Sequence, residues 1–242
     1  MQEANPTMPG EAPPRQAPAT PGPGAEPALA DARALQILTT EHWSLLATRS
    51  LAYNEAFSRA SMFLSFLSAT LIVIGFLVSS LGLSPTVGLL ASILLGADLF
   101  IGFATLSRLK GASAEELQCV RGMNRIRHAY REMVPGLEPY FVSGFHDDAR
   151  GVLATYGDVS PSVVRNIIHG LGTSIGMIST IDAMILGALC ASIGLGLGLA
   201  IEVGLVLAIT GFAVAFGLLT VVGMRTALGR KARAESRFPT PD

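Results

Sequence analysis

Charge is what this sequence lacks most. Only 14% of its 242 residues are charged, against roughly 25% in an ordinary soluble domain, while half are hydrophobic and the mean hydropathy is +0.50. So few charges cannot cover a water-facing surface, and lipid is expected to solvate part of it. The net charge of −1 leaves no electrostatic footprint for nucleic acid. Cysteine is nearly absent: Cys119 and Cys190 match no metal or redox spacing and read as unpaired, reduced thiols. A phosphate loop, a nucleophile elbow, a zinc-protease helix and a dinucleotide fingerprint are all missing, so neither catalysis nor a cofactor is expected. The stretch "GLGTSIG", Gly170 to Gly176, leads into an apolar run without a preceding strand and reads as packing. "GFHDDARG" sets His146, Asp147 and Asp148 together, but consecutive residues on a helix diverge and no second ligand cluster accompanies them, so no metal site is expected. His42, His128 and His169 stand alone.

What is present is a set of long apolar runs between polar stretches. Residues 1–30 hold eight of the fourteen prolines and almost no large apolar side chains, so they read as disordered and carry no secretory leader pattern. From Asp31, a plausible N-cap, Leu35, Leu38, Leu45, Leu46, Tyr53 and Phe57 recur at helical steps among polar residues, which predicts an amphipathic helix over 31–60. That helix meets no breaker before Ser61–Leu83, 23 residues without a charge and long enough for a hydrocarbon core of about 30 Å. After a turn at Ser84–Thr86, Val87–Ser107 predicts a second span, charged only at Asp98 and closed by Arg108 and Lys110.

The polar section 108–173 is expected to hold short helices. "SAEE", Ser113 to Glu116, has capping-box spacing; Asp147–Tyr156 predicts a helix stopped by Gly157; Ser160-Pro161 predicts a helix start. From Ser174 to Met224 only Asp182 and Glu202 are charged over 51 residues, which fits two spans joined near Leu199–Val203. The basic stretch 225–242 closes the sequence.

All 17 Lys and Arg residues precede the first span, lie between spans two and three, or follow span four. By the positive-inside rule the termini and the 108–173 section are expected in the cytoplasm. The expected fold is all-α: a polytopic membrane protein with four transmembrane helices as two hairpins and a small helical cytoplasmic section. The bacterial inner membrane fits this simple layout.

Helices in lipid associate through small residues that let backbones approach. Gly172, Gly176, Thr180, Ala183, Gly187, Ala191, Gly194 and Gly198 form one seam, answered by Gly204, Ala208, Gly211 and Ala215. Weaker seams run through Ser61, Ser65, Ser68, Gly75 and Ser79 and through Gly88, Ser92 and Gly96. Asp98 sits near the middle of its span, where an aspartate costs on the order of 3 kcal/mol and should face protein or water. With Asp182 and Glu202 it forms a candidate cation or proton pathway; the alternative is a protonated Asp98 bonded to a hydroxyl such as Ser68, Thr70 or Ser192. Two basic clusters are candidates for anionic lipid, or serve only to fix topology: Arg121, Arg125, Arg127, His128 and Arg131, and the tail residues Arg225, Arg230, Lys231, Arg233 and Arg237.

The helix "ATRSLAYNEAFSRA", two close spans and the basic helix "ELQCVRGMNRIRHAYREM" resemble in layout the SLATT family over about Ala47–Met133, with a second hairpin added here. That resemblance implies a two-span bacterial membrane effector in nucleotide-signalling defence. The expected function is a non-enzymatic channel-like or membrane-effector component. The alternative is a scaffold that recruits a cytosolic protein. The lipid bilayer is the expected partner, with a second copy of the chain and a cytosolic protein as further candidates.

Overall fold

The computed structural model describes residues 32–156, 172–232 and 236–241. Among these residues every regular element is helical, and four helices are long and apolar enough to cross a membrane. The expected Asp31 cap, the 1–30 tail, the Gly157 stop, the Ser160-Pro161 start, His169 and Arg233 lie outside the described residues.

Helix α1 spans Ala32–Leu81 without a break, so the amphipathic stretch and the first apolar run are one rod. No proline or glycine interrupts it before Gly75. Gly82, at φ +65°, reverses the chain, and Ser84 caps helix α2 by accepting from the Val87 N–H at 3.4 Å. Pro85 takes the first position of α2, where a backbone N–H would have no intrahelical acceptor anyway.

Helix α2 runs from Pro85 to Met133, 49 residues. The helix continues past Arg108 and Lys110, which corrects the expectation that a new helix starts at Ser113. Gly111 alone costs a helix about 1 kcal/mol, and contacts along α1 outweigh it. Glu116 does not reach back to cap anything; its Oε1 accepts from Arg49 on α1 at 2.8 Å. Arg108 likewise reaches across to Glu55 at 2.7 Å and along its own helix to Glu115 at 3.1 Å. The hydrogen bond from Arg108, joined by one from Arg59, holds Glu55 down to about 2. These pairs stitch the first half of α1 to the second half of α2.

A turn through Pro135 and Gly136 ends α2, a single 3-10 turn follows at Glu138–Tyr140, and α3 covers Ala149–Tyr156. Helix α4, Ser174–Gly196, starts at Thr173, whose hydroxyl accepts from the Gly176 N–H at 3.1 Å. It ends at Leu197 with Gly198 at φ +77°: the Leu199 N–H bonds back to Gly194 O and the Gly198 N–H to Leu195 O. That double bond is the glycine-terminated helix end that only a residue free to adopt positive φ closes cheaply. Helix α5 then runs from Ile201 to Ala232, so the second turn falls at 197–200, slightly before the expected 199–203.

The helices pack in a row, α1 on α2, α2 on α4, α4 on α5. About a third of the residues in the apolar stretches of α2 and α4 are buried, against few in those of α1 and α5, so α2 and α4 form the interior of the layer. Gly88 lies against Gly196, which places both tight turns at one end. The polar elements gather at the other.

Candidate functional site

Two glycines decide how closely α2 and α4 approach. A Cβ at Gly88 would collide with the backbone of Leu195 and Gly196, and one at Gly102 would collide with the Asp182 carboxylate. Gly88 to Gly102 and Asp182 to Gly196 are both intervals of fourteen residues, so the two contacts fix one antiparallel register along the whole interface. Asp98 precedes Gly102 by four residues on the same face of α2. It therefore stands one helical turn, about 6 Å, from the level of Asp182.

Both carboxylates are sealed in: Asp98 is 3% exposed and Asp182 0%. Their surroundings are apolar, with Phe63 of α1, Leu95, Leu99 and Leu106 of α2, and Ile178 and Ile185 of α4 in the same buried cluster. Asp182 has no hydrogen-bond partner at either oxygen, and Asp98 has none at Oδ2. Two of the three hydroxyls expected to receive Asp98 bond their own helix: Ser68 donates to Leu64 O and Ser192 to Ala188 O, each at 2.8 Å. Short polar side chains in helices commonly bond the carbonyl one turn back, which takes them out of reach of a neighbouring helix.

Glu202 is not part of this group. It is exposed in the first turn of α5, about 21 Å along α4 from Asp182, where the helix dipole suits a carboxylate. The line of three acids read from the sequence is a buried pair and a distant third.

The small-residue seam divides in a similar way. Gly187 lies against Ala208 O and Phe212, Gly194 against Leu207 and Gly204, Gly211 against Cys190 and Gly187, and Gly204 faces Ala191 O. Ala183 is fully buried and Ala215 nearly so, whereas Gly176 is half-buried beside the α4 cap and Gly198 has nothing within 4 Å because it closes the turn. Gly75 and Gly96 also face open space, and Ser65 and Ser68 bond their own helix. The face that α1 buries is instead Ala52, Ala56, Ala60 and Phe63.

At the polar end a third buried carboxylate has the opposite fate. Asp147, 1% exposed, accepts from Ser236 Oγ at 2.6 Å, from the Arg237 and Phe238 N–H groups at 3.0 and 2.8 Å, and from Arg125 Nε at 2.6 Å. Burial alone would push its pKa up, but these donors together hold it well below the usual carboxylate range. Asp148 caps α3 through the Gly151 N–H and accepts from Thr240 Oγ1 at 2.7 Å. Asn124, fully buried on α2, donates to His146 O and Thr155 Oγ1 and accepts from Arg127. His128 stacks on Phe238 at 4.2 Å, and burial lowers its pKa.

Sequence reading weighed Asp147 and Asp148 only as metal ligands and missed this role. Its one signal was a donor-bearing segment, "SRFPT", 89 residues downstream. Among the described residues no three His, Cys, Asp or Glu side chains stand together as a metal site. Of the lipid candidates, Arg225 is exposed near the end of α5, Arg230 and Lys231 lie on its last turns, and Arg237 is tied by its backbone to Asp147. No family model, no curated protein and no solved structure matches this chain.

Proposed function

We propose that this chain is a multi-pass protein of the cell membrane, with both termini in the cytoplasm, that passes protons between α2 and α4 through Asp98 and Asp182. The observation that carries this reading is a pair of buried carboxylates, one turn apart, with three oxygens that have no hydrogen-bond partner. An isolated ionised carboxylate in such a medium is far costlier than a protonated one, so the pair suits traffic in protons better than storage of charge. A metal cation would require several further oxygens, and the neighbours are hydrocarbon. Neither catalysis nor a cofactor enters this reading. The membrane-effector role implied by the resemblance of residues 47–133 to the SLATT family is compatible with a proton leak.

The test is proton influx into pH-jumped liposomes holding the purified protein and a trapped pH dye. Influx above that of empty vesicles, abolished by Asp98→Asn and by Asp182→Asn, is the expected result. Influx indifferent to both substitutions, or none at all, overturns it.

A scaffold role is the second reading, and one observation favours it. Leu35, Trp43, Leu46, Tyr53 and Phe57 lie along one side of the first half of α1 and are all exposed, 40 to 66% of each. A cytosolic partner or a second copy would cover that stripe, and pull-down with the isolated stripe mutated to serine would separate this reading from the first.

A further inference from the structure

The contacts that hold Ser236–Pro241 have the form of peptide recognition. One carboxylate, Asp147, reads a serine hydroxyl and two successive backbone N–H groups; the Asp147 N–H returns a bond to Phe238 O at 3.3 Å; His128 provides a flat face for the Phe238 ring; Asp148 reads the Thr240 hydroxyl. Arg237, Pro239 and Pro241, between and after these three positions, have exposed side chains. The pattern selected is therefore Ser-x-Phe-x-Thr, with the backbone bent at Arg237 and Phe238.

The cradle itself stands on side chains that do not belong to the tail. Arg125 neutralises Asp147, Asn124 fixes the backbone of His146 and Gly151, and Gly151 leaves no room for a side chain against His146 O. We infer that this cradle is a recognition site for a short Ser-x-Phe-x-Thr peptide, filled reversibly by the chain's own segment Ser236–Pro241.

Reversibility follows from size. One aromatic ring and a handful of hydrogen bonds are far less than a standard interface, so a free peptide binds weakly. The tail is joined to the end of α5 by three residues, and a short tether supplies an effective concentration in the millimolar range. Occupancy in the intact chain thus depends on the tether, and a competitor presented at high local concentration, such as the tail of a neighbouring copy, can exchange with it. A phosphoryl group on Ser236 would replace a donor by a dianion facing a buried carboxylate and empty the cradle.

The test uses the full chain in nanodiscs and a fluorescein-labelled peptide spanning 234–242. Hydrogen exchange of the unsubstituted chain should show slow amides at Arg237 and Phe238, and the double variant Ser236→Ala, Phe238→Ala should show both exchanging at least tenfold faster. By anisotropy the peptide should bind the double variant at least tenfold more tightly than the unsubstituted chain, whose own tail competes. A phosphoserine peptide and a peptide with Phe238→Ala should each lose at least tenfold on the double variant. Fast exchange at 237 and 238 in the unsubstituted chain overturns the inference. So does equal binding to both chains, absence of binding to the double variant, or undiminished binding of the phosphoserine peptide. None of these readouts depends on proton flux.

Discussion

Asp147 and Asp182 are equally hidden from solvent and differ in everything else. Asp147 lies at the polar end, collects a guanidinium, a hydroxyl and two backbone N–H groups, and joins segments about 90 residues apart. Asp182 lies between two apolar helices, faces Gly102 of α2, and has no hydrogen bond. A carboxylate buried with its donors is a fastener: deleting it strands the groups that pointed at it. A carboxylate buried without them fastens nothing, and its persistence in an apolar interface costs stability. The same residue type at the same burial is therefore a fastener in one place and not in the other.

The largest effect expected from this contrast is a difference of sign. Asp147→Ala removes the acceptor that Arg125 Nε and the tail donors share and should lower stability by about 3 kcal/mol, read by denaturant titration in micelles. Asp182→Ala in the same assay should fall within about 1 kcal/mol of the unsubstituted chain or above it; a loss as large as that of Asp147→Ala would erase the distinction.

Gly102→Ala comes next, because a methyl group there meets the Asp182 carboxylate. Overpacking of this kind should cost about 1–3 kcal/mol, and adding Asp182→Ala should recover most of it, a coupling visible in a double-mutant cycle. Additive losses would mean that the two side chains do not share the space.

Acid sharpens the comparison from the other side. The pKa of Asp147 is lower folded than unfolded, so its contribution is fully present above the ordinary carboxylate value of about 3.9 and is lost as pH falls below that toward the folded value. Tail amide protection should be constant from pH 7 to 5, once corrected for intrinsic exchange, and decline only below about 4.

Smallest of all is Arg49→Ala. Its bond to Glu116 is partly exposed, 35 and 30% for the two side chains, and such pairs are worth under about 1 kcal/mol. A larger loss in the titration would show that the α1–α2 pairs act as a network.

Periodicity and charge placement made the helices legible in the sequence. An unbroken apolar run as long as Ser61–Leu83 fits a helix, which satisfies its own backbone in lipid, and Ser84-Pro85 announces where the next one starts. The boundary at Ser113 was misread because capping-box spacing is a local signal, while the continuity of α2 depends on ion pairs with α1 that no window of sequence contains. Asp98 and Asp182 were legible as oddities in apolar runs. Their proximity was not, since it rests on the register set by Gly88 and Gly102. The cradle around Asp147 was invisible for a similar reason: its ligand is donor groups, two of them backbone N–H, which every residue except proline possesses.

Helix α2 now takes on a mechanical meaning. At 1.5 Å per residue its 49 residues extend about 74 Å, more than twice a hydrocarbon core. Asn124, Arg125 and His128 sit near one extremity and Asp98 and Gly102 toward the middle, on a single uninterrupted rod. On an unbroken rod, a tilt of a few degrees about that extremity displaces the level of Gly102, about 35 Å away, by about 2 Å, so the geometry of the two regions is tied by the stiffness of one helix.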